Sequence, residues 1–266
     1  MEGEVMDVME SLSLKGKVAL VTGGAGQYGR QIVAALAEAG ATTFIAARGL
    51  AKLEAVAAEE RGRGYDVRAL ALDLDDQASI DAMHCAVMEQ AGRCDVLVNN
   101  AVTRDPDAVW GGDMIAYDRS LRINASALFY VTELFSRDMR ARRAGSIINI
   151  GSMMGMVGVE LANYAGTQMH ARPSPVYFYE KGGMVNFTRW AASIVGVDNV
   201  RVNCISPGGF FNHQPEAFVE AYSARTQLGR MANATDLKGA VVFLASDASS
   251  YITGANIPVD GGYTAK

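Results

Sequence analysis

Thr22-Gly23-Gly24-Ala25-Gly26-Gln27-Tyr28-Gly29 follows an apolar run, Val18 to Val21, and leads into a segment with helical spacing from Arg30 to Ala39. In that segment Ile32, Leu36 and Ala39 share one face, leaving Arg30, Gln31 and Glu38 for the other. Glycines here let the chain turn tightly, bring backbone N–H groups close to a phosphate and start the helix beside the strand. Strand, glycine-rich turn and helix in this order fit a dinucleotide whose pyrophosphate rests on the helix N-terminus. A purely structural turn would use the same glycines; the position after the first strand favours the ligand.

The same rhythm continues outward from this turn. Short runs rich in Val, Ile and Leu recur at Thr43 to Ala47, Arg68 to Leu72, Val96 to Val98, Ser146 to Ile150, Val202 to Ile205 and Ile257 to Val259. They read as strands buried on both faces, separated by helical segments. Such alternation implies parallel strands joined by helical crossovers. The expected fold is α/β, a Rossmann-type doubly wound parallel sheet of about seven strands in a single domain, residues 15–266, after a tail or short helix over residues 1–14. Ligands in that architecture collect at the carboxyl ends of the strands.

Composition narrows the partners. The chain has 266 residues, half of them hydrophobic, enough to bury a substantial core in one domain. A net charge of −5 with scattered basic residues offers no footprint for nucleic acid. Met1 to Lys15 lacks the basic start and apolar run of a secretory signal, and no stretch has the apolar length of a membrane span. Cys85, Cys94 and Cys204 are well separated, as in reduced thiols, so the expected location is the cytoplasm. His84, His170 and His213 have no metal spacing, and no metal is expected.

Further segments, in order, resemble the short-chain dehydrogenase/reductase family from about Leu14 to Thr264. The glycine-rich turn is similar to that family's Thr-Gly-x-x-x-Gly-x-Gly, with Gln27 in place of the middle glycine. Asn99-Asn100-Ala101 resembles Asn-Asn-Ala-Gly, with Val102 replacing the glycine. Asp73-Leu74, Asn124 in Arg122-Ile123-Asn124-Ala125, Ser152, and Pro207-Gly208 also fall where the family has functional residues. The resemblance implies that Gly23, Ala25, Gln27, Tyr28 and Gly29 hold the cofactor pyrophosphate, Asp73-Leu74 the adenine, and Asn100, Ala101, Pro207 and Gly208 the remaining length. It implies a catalytic set of Asn124, Ser152, Tyr177 and Lys181, with Tyr177 and Lys181 also touching the nicotinamide end.

Moving a hydride to or from a carbonyl carbon requires one proton to move as well. A free tyrosine, with a pKa of about 10, is a poor base at neutral pH, and a nearby cation lowers that value. Tyr177 and Lys181 stand four apart and share a helix face if the segment is helical. In the family pattern Tyr-x-x-x-Lys the lysine also holds the nicotinamide ribose, the serine polarises the substrate oxygen, and the asparagine holds a relay water. Ser152 and Tyr177 are separated by about twice the usual family distance. Tyr164 would satisfy the usual spacing, but Gln168, four residues on, carries no charge to depress a phenol pKa. Val159 to Pro175 is therefore expected to contain an insertion looping out before the catalytic helix, with Pro173 and Pro175 running into the helix start. That insertion would cover the substrate or contact a neighbouring subunit, with His170 and Arg172 as possible polar contacts, or serve as a plain surface loop.

The second strand ends Ala46-Ala47-Arg48-Gly49, with no acid to hold a ribose hydroxyl and a guanidinium suited to a 2′-phosphate. NADP is favoured; Arg48 stacked on adenine would leave NAD usable. The expected substrate is a small alcohol or ketone, recognised by Gly209 to Gln227, with Phe210, Phe211, Asn212, His213 and Gln214, and by the insertion. The segment Leu228-Gly229-Arg230-Met231 through Ala240 resembles bacterial sugar-acid and polyol reductases such as gluconate 5-dehydrogenases. A non-catalytic nucleotide-binding regulator or structural subunit is the alternative; it predicts loss of the tyrosine or lysine, and both are present. The family resemblance further implies a homo-oligomer, commonly a tetramer, and the face around Phe187 and Trp190 suits such contacts or core packing equally.

Overall fold

The apolar runs form seven strands: β1 (Val18–Thr22), β2 (Thr42–Ala47), β3 (Val67–Ala71), β4 (Val96–Asn99), β5 (Gly145–Ile150), β6 (Val200–Pro207) and β7 (Asn256–Val259). The computed structural model describes residues 7–169 and 174–265. All seven strands pair in parallel in one sheet, ordered β3-β2-β1-β4-β5-β6-β7, giving a single α/β domain. The α-helices are α1 (Val8–Ser11), α2 (Gln27–Glu38), α3 (Leu50–Gly62), α4 (Gln77–Ala91), α5 (Met114–Leu121), α6 (Ala127–Arg142), α7 (Pro175–Val195), α8 (Glu216–Ser223) and α9 (Lys238–Ala245).

Period-two alternation along the strands divides the core into two layers. Ala19 and Val21 of β1 face Ile32, Val33 and Leu36 of α2, Leu53 of α3 and Val241 of α9. Val18 and Leu20, one residue out of phase, face Met83 of α4, Phe135 and Met139 of α6, and Ala192 of α7. The chain thus winds both ways from β1, and the strand order reverses between β1 and β4, where a crevice opens.

Three sequence expectations need correction. β3 and β7 are edge strands and only partly buried, because each lacks a neighbour on one side. Arg68 on β3 and Pro258 on β7 suit such edges, the first by charge and the second by its missing N–H. The first long helix begins at Gln27 rather than Arg30, so the end of the glycine-rich segment is already helical. Residues 8–11 form the short helix α1, while Leu14 is fully buried and donates its N–H to the Ala39 carbonyl at 2.9 Å, tying this end to the domain.

The third correction concerns Gln31, expected on the polar face of α2. It is 4% exposed, and neither of its amide atoms has a hydrogen-bond partner among the described residues. An unmet buried amide costs about 1–3 kcal/mol, comparable to the roughly 2 kcal/mol gained from burying one large aliphatic side chain. The layer formed by Ile32, Val33 and Leu36 outweighs it. Gln31→Leu is expected to raise the unfolding free energy by about 1–2 kcal/mol in urea titrations. A destabilised variant would mean that the amide is satisfied in solution.

Candidate active site

The carboxyl ends of β1, β4, β5 and β6 open into a cleft of about 1020 Å³. Its lining includes Gln27, Tyr28, Asn100, Ser152, Tyr177, Lys181, Pro207 and Gly208, so the structure brings these expected site residues together. Arg48 and Asp73-Leu74 lie outside the cleft, beyond the ends of β2 and β3 on the same edge of the sheet.

The glycine-rich turn is shaped for close backbone approach. Gly23 has φ +70°, and a Cβ at Gly29 would lie 2.2 Å from the Gly23 carbonyl oxygen. Gly26 caps α2 without a side-chain hydrogen bond, leaving the first helical N–H groups and the positive end of the helix dipole to face a phosphate. Asn100 braces this turn, donating from Nδ2 to the Thr22 and Gly23 carbonyls at 2.9 and 3.0 Å. The N–H groups of Asn100 and Ala101 both reach Thr22 Oγ1 at 3.1 Å. Tyr28 spans the crevice and donates its hydroxyl to the Gly208 carbonyl at 2.7 Å. These features fit a dinucleotide.

Tyr177 lies in the first turn of α7, whose start is fixed by Pro175 and by the Ser174 hydroxyl, which accepts from Tyr177 N–H. Pro175 is thus helical from the outset; His170, Arg172 and Pro173 lie outside the described residues. Lys181, one turn on, is 4% exposed and donates from Nζ to the Ile150 carbonyl at 2.8 Å, at the end of β5. Ser152 follows β5 and caps a short 3₁₀ turn over Met153–Gly155. That turn lies against α7 because residue 155 is glycine: a Cβ there would come within 2.5 Å of the Lys181 backbone.

Burial raises the Tyr177 phenol pKa, but the charges of Lys181 and Arg104 and hydrogen bonds from Ser152 and Arg104 more than reverse it, leaving the phenol below the ordinary tyrosine value. Burial pushes the Lys181 ammonium down against the opposing pull of Tyr177, Cys204 and Glu180. Tyr164 belongs to the 3₁₀ turn Leu161–Tyr164 and packs against Phe218; burial raises its phenol.

The described part of the insertion is not a bare surface loop. Val159, Leu161, Tyr164 and Met169 form a wall of the cleft. Asn163 anchors this wall through Nδ2 to the Tyr263 hydroxyl at 2.9 Å, and Glu160 pairs with Arg225 at 3.7 Å. Phe210 and Gln214 also line the cleft, whereas Phe211 and His213 meet ring to ring at a tilt of 59° on the exposed surface outside it.

Asn124 sits in a π turn, Arg122–Ser126, between α5 and α6. Its Oδ1 accepts from Thr103 N–H at 2.9 Å, and its Nδ2 donates to the Thr103 carbonyl and to Glu180 Oε2, each at 2.9 Å. Ser120 donates to the other Glu180 oxygen at 2.7 Å. Sequence reasoning missed Glu180 and Arg104. An acid inside the Tyr-x-x-x-Lys stretch and an arginine just after Asn-Asn-Ala were the available signals.

Matches to known proteins agree with this geometry. A family model described as enoyl-(acyl carrier protein) reductase covers residues 25–264. The chain is 34% identical to 3-oxoacyl-(acyl-carrier-protein) reductase FabG of Pseudomonas aeruginosa, over 94% of this chain and 98% of that one. It is 33% identical to galactitol 2-dehydrogenase (L-tagatose-forming) of Cereibacter sphaeroides, over 97% and 99%. The structure of a gluconate 5-dehydrogenase from Burkholderia cenocepacia, in complex with NADP and tartrate, superposes with a TM-score of 0.86 at 28% identity, covering 98% of this chain and 100% of that one. Fold, site and relatives together define an NAD(P)-dependent oxidoreductase that interconverts alcohols and ketones. The chain belongs to the short-chain dehydrogenase/reductase family.

Glu180 yields a pH prediction. Burial raises its carboxyl pKa above the ordinary 4.5, although hydrogen bonds from Ser120 and Asn124 and the Lys181 charge pull the other way. A group with a raised folded pKa contributes stability below its unfolded value, and that contribution is lost as pH rises through the folded value. Gln does not titrate, so the melting temperature of Glu180→Gln minus that of the parent should become more positive as pH rises from about 4.5 towards neutrality. A difference that stays flat over that range would show that Glu180 has no raised pKa.

Proposed function

We propose that the chain is an NADP-preferring enzyme that interconverts a secondary alcohol and a ketone on a sugar-acid-like or polyol-like substrate, with Tyr177 as general acid/base. The observation that carries this reading is the placement of the Tyr177 phenol in the cleft, with the Arg104 guanidinium 4.8 Å and the Lys181 ammonium 5.9 Å from its ring centroid, two charges that favour the phenolate. Gly23, Ala25, Gln27, Tyr28 and Gly29 would hold the pyrophosphate, Asp73-Leu74 the adenine side, and Asn100, Ala101, Pro207 and Gly208 the stretch leading to the reacting ring. When bound, the nicotinamide supplies or accepts the hydride.

In the oxidative direction the Tyr177 phenolate takes the alcohol proton; in the reductive direction the phenol returns it to the carbonyl oxygen. The Ser152 hydroxyl holds that oxygen. Lys181, fixed on the Ile150 carbonyl, keeps its positive charge beside the phenol and favours the phenolate. Asn124, held in place by Thr103 and Glu180, completes the catalytic set and would hold the water that relays the proton onward.

Arg48 supports NADP. It is exposed after β2, no acid stands beside it in sequence, and it makes no ion pair among the described residues. The gluconate 5-dehydrogenase, whose structure holds NADP and tartrate, and the galactitol 2-dehydrogenase support a sugar-acid-like or polyol-like substrate. The cytoplasm is the location assigned, in keeping with unpaired Cys85, Cys94 and Cys204; none of the described helices is long and apolar enough to cross a membrane.

We also assign a homotetramer. On a single chain Tyr179 and Trp190 of α7 are 72% and 60% exposed, beside exposed Phe129 and Ile194, so Trp190 is not core packing. An apolar aromatic face of this kind fits contact between copies. Light scattering should give four times the 28.3 kDa chain mass, and a monomer at micromolar concentration would contradict the assignment.

Kinetics test the mechanism. NADPH should bind at least about tenfold more tightly than NADH, as a charge-assisted contact to the 2′-phosphate would produce. Tyr177→Phe should lower kcat by about 100- to 10,000-fold in reduction of sugar acids or their ketones, while Tyr164→Phe keeps most of the turnover. Essential Tyr164 with dispensable Tyr177 would overturn the assignment.

A further inference from the structure

A proton must leave the Tyr177 site, or enter it, in every turnover, yet Lys181, Asn124, Ser120 and Glu180 beside it are all buried. Asn124 has no proton to exchange, because a carboxamide does not titrate near neutral pH. Its polar atoms are also spent: Oδ1 accepts from Thr103 N–H, and Nδ2 donates to the Thr103 carbonyl and to Glu180 Oε2, each at 2.9 Å. Lys181 gives one of its N–H groups to the Ile150 carbonyl at 2.8 Å and keeps others for its neighbours.

Glu180 is the titrating group that these contacts single out. It precedes Lys181 on α7 and reaches across to α5, where the Ser120 hydroxyl donates to Oε1 at 2.7 Å. Glu180 and Ser120 line the cleft, as do Tyr177 and Lys181, so one cavity joins acid, ammonium and phenol. The two partners treat the carboxyl oxygens differently. Asn124 Nδ2 can only donate, so Oε2 stays an acceptor throughout. The Ser120 hydroxyl can donate to an ionised Oε1 and accept from a protonated one, so Glu180 keeps both contacts in either state. Burial lifts its carboxyl pKa against the pull of Ser120, Asn124 and Lys181, which brings the two states closer in energy at neutral pH. The other acids lining the cleft among the described residues are Asp105, paired with Arg119, and Asp107 and Asp113, both exposed on the segment leading to α5. Arg104, the second cation near the phenol, acts on Tyr177 and Lys181.

We propose that Glu180 is the proton-exchange group of this active site, taking up the proton released at Tyr177 in alcohol oxidation and supplying one in ketone reduction. This rests on Tyr177 being the acid/base group. In oxidation the alcohol C–H bond breaks and its hydrogen leaves with the electron pair as hydride, while the O–H proton passes to the Tyr177 phenolate. Tyr177 then passes a proton, by way of Lys181 and the water on Asn124, to Glu180 Oε1. Glu180 yields it to solvent along the segment that carries Asp107 and Asp113, and phenolate and carboxylate are both restored. Reduction runs the same steps backwards. A relay ending on α7 spares the proton from crossing the space that the substrate fills.

Gln can set its oxygen on Asn124 and its amide on Ser120, so Glu180→Gln removes the proton-accepting oxygen and keeps both contacts. Single turnovers of NADP with D-gluconate, galactitol or cyclohexanol are followed by stopped flow in the parent, Glu180→Gln, Glu180→Asp and Tyr177→Phe. NADPH absorbance reads hydride transfer, and a pH-indicator dye reads proton release. In the parent, release should keep pace with NADPH formation in dilute and concentrated buffer alike. In Glu180→Gln it should slow at least about tenfold in dilute buffer, and added imidazole, a small diffusible acid/base, should restore most of the rate, with Glu180→Asp intermediate. A residue that serves packing alone gives no response to imidazole. Release at the parent rate in Glu180→Gln, or slow release that imidazole leaves unchanged, would overturn the relay, while an inactive Tyr177→Phe keeps the acid/base reading intact. Turnover surviving in Tyr177→Phe, or no oxidation of any of these alcohols by the parent, would instead overturn the reading of Tyr177 and the relay with it.

Discussion

A buried ammonium resting on a strand-end carbonyl fixes the chemistry of this domain. Lys181 Nζ meets the Ile150 oxygen at 2.8 Å, and through that contact the first turns of α7 are referenced to the end of β5. A buried cation without a partner would be far more costly than the hydrogen bond is worth, so α7 has little freedom to rotate or slide. Tyr177 and Ser152 inherit their relative placement from that contact and from the bare backbone of Gly155, which lets the Met153–Gly155 turn lie against the helix.

Under the cleft a second set of contacts keeps the strand ends in line. Asn99 on β4 donates to Asn149 on β5 at 2.9 Å, and Asn149 donates to Thr188 on α7 at 2.9 Å. All three side chains are buried, where hydrogen bonds strengthen one another and an unmet partner would be costly. The Thr22 hydroxyl does similar work above, joining β1 to the residues after β4. Both faces of the sheet are apolar, so these few polar contacts set direction while the two core layers supply most of the stability.

The sheet was legible in the sequence because parallel strands buried on both faces leave short, almost uninterrupted apolar runs, which few other arrangements produce. Edges were less legible: Val67–Ala71 and Asn256–Val259 have compositions close to those of interior strands, and only the order of pairing exposes them. The tyrosine and lysine pair was legible through its four-residue spacing, even with an insertion displacing it from Ser152. Arg104 and Glu180 were not. Their significance arises from contacts across the fold, with Tyr177 in one case and with Ser120 and Asn124 in the other, and no local pattern encodes such distances. Gln31 misled for the reverse reason, since a polar letter at a helical position reads as surface until the neighbouring helices are in place.

The wall from Val159 to Met169 hangs from Arg225 and from Tyr263 near the end of the chain, whereas Ser152 follows β5 and Tyr177 and Lys181 stand on α7. What the cleft admits and what it does to the guest are therefore built on different foundations. A lineage with this design can exchange the wall, or lengthen it, without resetting a single distance around Tyr177. The extra length between Ser152 and Tyr177 is in that sense a replaceable face, and diversification within such a scaffold would proceed through it while the reaction itself stays fixed.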